Sequence, residues 1–282
     1  MGIILPTFEE YSNRKAGNTV IFRPDNDSFS YSAPDVMKYF DGKDIKALIL
    51  INPDNPSGNY LAHDAVLELA EWTLRRNVRF ILDESFVAFA ATDDSFVTDT
   101  LLDKYPHMVV LKSMSEIWGI PGLRIGVMAT SDEHLIKMVG SDLSIWNINS
   151  FAEFYLQICE KYKSDFIAAM ECFHSLREAF YQDLKEITFL EPIPSRANYI
   201  TCRLGGGLSA LELAKALLSR HNIFIKDLTG KEGMDGDYIR LTVRGADENR
   251  ILIEALRCYG DGLAGFDSKK PDNGPFYHFI PR

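Results

Sequence analysis

Short apolar runs at residues 47–51, 79–83, 108–112 and 124–129, several of them rich in Val and Ile, punctuate the first 130 residues. Between the first two runs, Val66, Leu67, Ala70 and Leu74 fall at helical spacing, which predicts a helix over 62–76. Strands interleaved with helices in this way predict an α/β fold, a mostly parallel sheet covered by helices. The opening run at residues 1–6 reads as the middle of a strand with no preceding element to pair with, so the front of the fold is expected to be absent. Ser131 is placed to cap a helix whose first turn carries Asp132 and Glu133.

A different pattern follows. Phe151, Tyr155, Ile158, Tyr162, Phe166, Met170, Phe173, Arg177, Phe180 and Leu184 step by three or four residues, which predicts one long amphipathic helix or two in tandem. Beyond it, strands are expected at 187–190, 199–204, 223–226 and 238–243, with helices at 210–220 and 248–259, a smaller α+β unit. Ser209-Ala210-Leu211-Glu212 has capping-box form at the start of the first of these helices. The organisation read from sequence is therefore a large unit over 1–150, a connecting helix over 151–186, a small unit over 187–260 and a tail over 261–282. In that tail, Phe276, Tyr277, Phe279 and Ile280 are candidates to dock on the body.

Composition narrows the function classes. Acidic residues outnumber basic ones 40 to 30, giving a net charge of -10, and no dense basic run is present to track a nucleic-acid backbone. Apolar runs are strand-sized, and the first residues lack the features of a signal peptide, so a cytoplasmic location without membrane partners is expected. Cys159, Cys172, Cys202 and Cys258 are too scattered to suggest a disulfide framework or a zinc site.

Four segments carry chemistry. Asn52 to Gly58 reads Asn-Pro-Asp-Asn-Pro-Ser-Gly directly after the first strand, and alone would be a plain turn sequence. Ile81-Leu82-Asp83-Glu84-Ser85-Phe86 ends the second strand, where an unpaired Asp83 carboxylate would be costly; it either caps the turn or meets a cation. Ser113-Met114-Ser115-Glu116 leads into Gly122-Leu123-Arg124-Ile125-Gly126, and two hydroxyls with a guanidinium fork suit a phosphate dianion, although Arg124 is also readable as a solvated charge. Near the carboxyl end, Tyr238-Ile239-Arg240-Leu241-Thr242-Val243 puts an arginine on a strand, and strand parity sends Arg240 and Arg244 to one face.

In this order and spacing the segments resemble the fold-type-I aminotransferases (class I/II) that use pyridoxal phosphate, especially those similar to histidinol-phosphate aminotransferase. The resemblance implies that Asp83 faces the pyridine nitrogen, Asn55 donates to the ring hydroxyl, and Ser113, Ser115 and Arg124 bind the phosphate. It also implies an aromatic over the ring at Phe8, a substrate-carboxylate clamp at Arg240 with Asn198 beside it, and a homodimer. The family's usual tyrosine three residues after the aspartate is replaced here by Phe86, at the expected loss of one hydrogen bond to the cofactor.

One requirement fails. The lysine that bonds the cofactor lies six residues before the glycine matched by Gly122 and eight before the arginine matched by Arg124, and that position holds Glu116. A carboxylate cannot form the imine, and it sets a negative charge beside an anionic phosphate. The same lysine shuttles protons at the substrate α-carbon, a role worth on the order of a hundred- to ten-thousand-fold in rate. Lys112, four residues earlier, is a poor substitute because the catalytic position lies on the turn beyond the strand.

The expected function is therefore amino transfer between an amino acid or amino phosphate and a 2-oxo acid, inactive or impaired in this chain, with pyridoxal 5'-phosphate held non-covalently. Two alternatives stand beside it: a non-catalytic homologue that binds cofactor or a partner, and threonine-phosphate decarboxylase-like chemistry.

Overall fold

The computed structural model describes residues 1–15, 17–90 and 95–264. In chain order the elements begin with β1 (Gly2–Ile4), α1 (Glu9–Asn13), β2 (Val20–Phe22), α2 (Ala33–Phe40), β3 (Ala47–Ile51) and α3 (His63–Arg75). They continue with β4 (Arg79–Asp83), α4 (Val87–Ala90), α5 (Asp99–Lys104), β5 (Met108–Ser113) and β6 (Gly126–Ala129). The connecting region is α6 (Glu133–Asp142), α7 (Ser150–Ile158) and α8 (Lys163–Lys185). The last part is β7 (Leu190–Pro192), β8 (Tyr199–Leu204), α9 (Ala210–His221), β9 (Lys226–Asp227), β10 (Tyr238–Thr242) and α10 (Ala246–Ala264).

The first sheet has the order β2-β1-β3-β4-β5-β6, parallel throughout except that β6 runs against β5. This is the expected α/β architecture, with a four-stranded antiparallel sheet, β7-β8-β10-β9, after it. Parallel pairing requires crossovers, and α2 and α3 supply two of them. Leu48, Leu50, Phe80, Leu82 and Val110 pack beneath Phe40, Val66, Leu69 and Ala70 of these helices. Burying each such side chain contributes about 1.5–3 kcal/mol, so this layer is what holds the strands in register. A second core joins Phe180 and Leu184 of α8 to Ile200, Cys202, Ile239 and Leu241 of the antiparallel sheet and to Leu213 and Leu217 of α9.

Several elements differ from the sequence reading. The opening run takes its partners from later in the chain, because β1 lies between β2 and β3. Both β2 and α2 escaped the sequence reading: β2 is three residues long, and α2 is marked only by the Ser32–Asp35 capping box with a proline in its first turn. The expected strand at 187–190 is the exit of α8, where the amide of Ile187 donates to the carbonyl of Leu184; the strand starts at Leu190. The run at 223–226 contributes only Lys226–Asp227, since the left-handed Asn222 and the bond from Ile223 N to Leu217 O still belong to the end of α9. Likewise β6 starts at Gly126 because Arg124 is left-handed (φ 55°). Asp132 caps α6 through Leu135 N, while Ser131 Oγ donates to Leu102 O. The long amphipathic pattern is two helices in tandem, α7 and α8, separated by a 3-10 turn over Cys159–Tyr162. The aromatic residues proposed to dock from the tail lie outside the described residues.

Candidate functional site

In an open parallel sheet, loops at the carboxyl ends of adjacent strands converge, and ligands bind there. The three tips concerned are those of β3, β4 and β5. Ile51 pairs with Asp83 and Asp83 with Leu111, so these strands end almost level. The backbone then ties the tips together: Asn52 N donates to Asp83 O at 2.9 Å, and Ser113 N donates to Ser85 Oγ at 3.0 Å.

The Asn-Pro-Asp-Asn-Pro-Ser-Gly tract is a buried, self-bonded loop. Asn52 bridges across it, with Nδ2 donating to Leu61 O and Oδ1 accepting from Leu61 N, both at 2.8 Å. Asp54 accepts from Ser57 Oγ at 2.6 Å, and its own carbonyl accepts from Tyr199 Oη at 2.7 Å. Gly58 closes the loop at φ +78°, where a Cβ would meet Ser195 Oγ at 2.1 Å and Ser195 Cα at 2.9 Å, so only glycine fits. The loop thereby fixes Asn55, whose Oδ1 accepts from Arg240 Nη1 at 2.6 Å.

Arg240 reaches this point from β10, with its guanidinium 4.8 Å from the centre of the Tyr199 ring. Asn55 and Arg240 are 185 residues apart in sequence, and their bond, with that of Tyr199 to Asp54, locks the second sheet against the first. Arg244 does not share this face. It lies beyond the end of β10 and pairs with Glu248 at the start of α10, where the strand's two-residue alternation no longer applies. Asn198, half-buried, contributes its carbonyl to Val243 N at 2.9 Å.

Asp83 is 8% exposed and accepts from Tyr11 Oη at 2.6 Å and from Ser85 N at 2.9 Å. A carboxylate can accept about four hydrogen bonds, so Asp83 keeps capacity for a further N–H donor such as a pyridinium. Tyr11 was not singled out from sequence. Burial first, then the adjacent Asp83 charge and their hydrogen bond, push its hydroxyl far above the usual phenol range, so it remains a donor. Phe8, one turn earlier and 40% exposed, precedes α1, and Tyr11 is the aromatic of that segment that touches Asp83. Phe86 packs edge-on against Tyr199 at 5.4 Å.

The third tip is a tight turn. Ser113 Oγ accepts from Ser115 N at 3.2 Å and donates to Glu116 Oε2 at 3.5 Å. Ile120 N donates to Ser115 O at 2.9 Å, which folds the turn back, and Ser115 is buried while Glu116 is exposed. Arg124 is exposed, with Nη1 on Pro121 O at 3.1 Å, and returns toward Ser113 through the pairing of Ser113 with Gly126. Lys112 points elsewhere, with Nζ 3.4 Å from Ser95 Oγ on the side of Glu84. Buried Tyr199 links the halves: burial raises its hydroxyl most, and the charges of Asp54, Asp83 and Glu116 act on it in the same direction against Arg240.

Two cavities, of about 330 and 610 Å³, lie outside this constellation. The smaller is walled by Thr7, Ser12, Lys226 and Lys231, the larger by Asn59, Arg177, Ser195 and Arg196. Arg177 of α8, whose functional position the sequence did not suggest, is nearly buried and donates to the carbonyls of Phe89 (2.5 Å), Arg196 (2.9 Å) and Ala197 (3.2 Å). It clamps the end of α4 to the segment before β8, and burial, with Arg196 nearby, brings its pKa down to about 10.

The family model for aminotransferase class I and II matches residues 3–256. The chain belongs to that family, whose cofactor is pyridoxal phosphate. It is 30% identical over 276 residues to the L-serine phosphate decarboxylase of Sulfurospirillum multivorans, covering 91% of this chain and 67% of that protein. The histidinol-phosphate aminotransferase structure from Clostridium acetobutylicum superposes with a TM-score of 0.83 at 25% identity, covering 93% of this chain and 78% of that one. A Sinorhizobium meliloti histidinol-phosphate aminotransferase solved with pyridoxal-5'-phosphate shares the fold at a TM-score of 0.79 and 19% identity, covering 93% and 70%. The chain spans 45%, 67% and 40% of the lengths of three curated relatives that it matches. Among the described residues no helix is long and apolar enough to cross a membrane.

Proposed function

We propose that this chain holds pyridoxal 5'-phosphate non-covalently at the carboxyl ends of β3, β4 and β5, and that its amino-transfer activity is absent or severely impaired. The observation that carries the reading is Glu116 on the turn after β5, bonded to Ser113, with Lys112 directed to Ser95. When bound, the cofactor supplies an electron sink for a bond broken at the substrate α-carbon. Asp83, which accepts from Tyr11 Oη and Ser85 N, has a carboxylate oxygen left to hold the proton on the ring nitrogen. Asn55 serves the ring hydroxyl, and Ser113, Ser115 and Arg124 serve the phosphate. Arg240, already oriented by Asn55 and Tyr199, receives the substrate carboxylate, with Asn198 beside it. Glu116 can accept a proton through a carboxylate oxygen but cannot bond the cofactor carbonyl.

The substrates in this reading are a small amino acid or amino phosphate and a 2-oxo acid. The protein acts as a cytoplasmic homodimer, with a cofactor unit over 1–150 joined through 151–186 to a small unit over 187–260. Similarity to an enzyme named L-serine phosphate decarboxylase supports a second reading, decarboxylation of a phosphorylated amino acid such as threonine phosphate, because the bond aligned with the ring decides the reaction. A purely binding role is the limit in which Glu116 leaves no turnover.

The test is a titration followed at the pyridoxal absorption band, then borohydride reduction and denaturation. The expected result is saturable binding that is weakened by Asp83→Asn and leaves no label on the denatured chain, whereas Glu116→Lys becomes labelled. A covalent label on the parent chain would show that another lysine has taken the role and would overturn the reading.

A further inference from the structure

We propose that Glu116 makes this site selective for the amine form of the cofactor, pyridoxamine 5'-phosphate, over the aldehyde form. The inference rests on the preceding reading that the strand tips hold a vitamin B6 phosphate. It concerns which form of that compound the chain's own residues complement.

At the position where the family resemblance implies a lysine, this chain carries the Glu116 carboxylate, so that point of the site is anionic rather than cationic. Glu116 is exposed on the β5 turn and has no cation within ion-pair distance among the described residues; its side chain accepts a long 3.5 Å bond from Ser113 Oγ. None of Arg240, Arg124 and Lys112 is paired with it: Arg240 bonds Asn55 beside the Tyr199 ring, Arg124 bonds Pro121 O, and Lys112 is directed to Ser95. Asp83 adds a second carboxylate at the next strand tip, and the charges of both act on Tyr199. A ligand with an ammonium group meets an unspent acceptor there; one with an aldehyde brings only another acceptor.

The amine form offers N–H donors, which a carboxylate accepts in a charge-assisted bond, while a carbonyl oxygen facing Glu116 would be an acceptor against an acceptor. Ser113 is free to turn its hydroxyl from Glu116 to a phosphate once the carboxylate has a better donor, so amine and phosphate binding support each other in this arrangement.

Equilibrium titrations of the whole chain with each compound, read by intrinsic fluorescence and by ligand absorbance, test this without any turnover. The parent is expected to bind pyridoxamine 5'-phosphate up to about tenfold more tightly than pyridoxal 5'-phosphate, the size expected of one charge-assisted bond at an exposed carboxylate. Glu116→Gln and Glu116→Ala should both bring the ratio of the two affinities close to one, chiefly by weakening the amine form. Equal or tighter binding of the aldehyde form by the parent, or a ratio unchanged in both variants, overturns the inference while leaving the cofactor site standing. Failure of both compounds to bind the parent overturns the cofactor reading itself and this inference with it.

Discussion

Asp54 links the acid–base chemistry of the buried loop to the stability of the whole site. Its carboxyl is 3% exposed, and burial raises its pKa from 3.8 to about 7 against the opposing bonds from Ser57 and the backbone of Asn55 and Ser57. A folded-state value above the unfolded one means that the folded chain binds more protons between about pH 4 and 7. Stability from this group is therefore fully present below the unfolded value and is lost as pH rises through about 7. The gap from 3.8 to about 7 corresponds to roughly 4 kcal/mol at about 1.4 kcal/mol per pH unit, an upper bound for the ionised loop. Asp54→Asn keeps an acceptor for Ser57 Oγ but cannot ionise. The variant should be uniformly weakened by about 1–3 kcal/mol through the backbone donors it no longer satisfies. Its stability relative to the parent should then improve by up to about 3 kcal/mol between about pH 4.5 and 8. Urea unfolding followed by circular dichroism at several pH values in this range measures the difference. Burial also raises Glu84, in the same direction, so the comparison of variant with parent is the informative quantity. Parallel pH profiles for the two proteins would refute the assignment of a strained ionisation to Asp54.

Three further outcomes are expected. Tyr11→Phe removes the 2.6 Å bond to Asp83 and should weaken binding of the B6 phosphate about tenfold, measured by absorbance titration; unchanged affinity would remove Tyr11 from the site. Arg177→Ala abandons the carbonyls of Phe89, Arg196 and Ala197 and should cost about 3 kcal/mol in urea unfolding, where a loss below about 1 kcal/mol would count against the clamp. Gly58→Ala forces a Cβ against Ser195 at a positive φ and should cost about 2–4 kcal/mol in the same assay, while a neutral effect would mean that the loop has another conformation available.

The elements with strong periodicity are legible in the sequence. The runs 47–51 and 79–83 became β3 and β4 without change of bounds, and the helix expected over 62–76 is α3 (His63–Arg75). Their apolar patterns are set by burial on the sheet, and burial is what periodicity records. Short or capped elements were harder: β2 has three residues, and the segment 187–190 is apolar because a helix exit, rather than a strand, packs into the core there. Among the candidate site residues, the order of Asn55, Asp83, Ser113, Ser115, Glu116 and Arg124 is readable in the sequence because each stands at a strand end or in a turn that local sequence specifies. Tyr11, Tyr199 and Arg177 were not, since each acts through a partner 72, 145 or 88 residues away.

By itself, then, the chain's sequence determined an alternating α/β scaffold, the identity of the groups at its strand tips, and a glutamate, Glu116, where the family resemblance implies a lysine. Local patterns of apolar spacing and turn residues contain that information. Which groups meet was decided only in three dimensions. Arg240 rather than Arg244 faces Asn55 because β10 ends at Thr242 and sends Arg244 to Glu248. Tyr11 reaches Asp83 because α1 follows β1, a strand placed beside β3 at the same end of the sheet. Long-range packing of the two sheets sets those distances, and no stretch of sequence encodes a contact between residues that are neighbours only after folding.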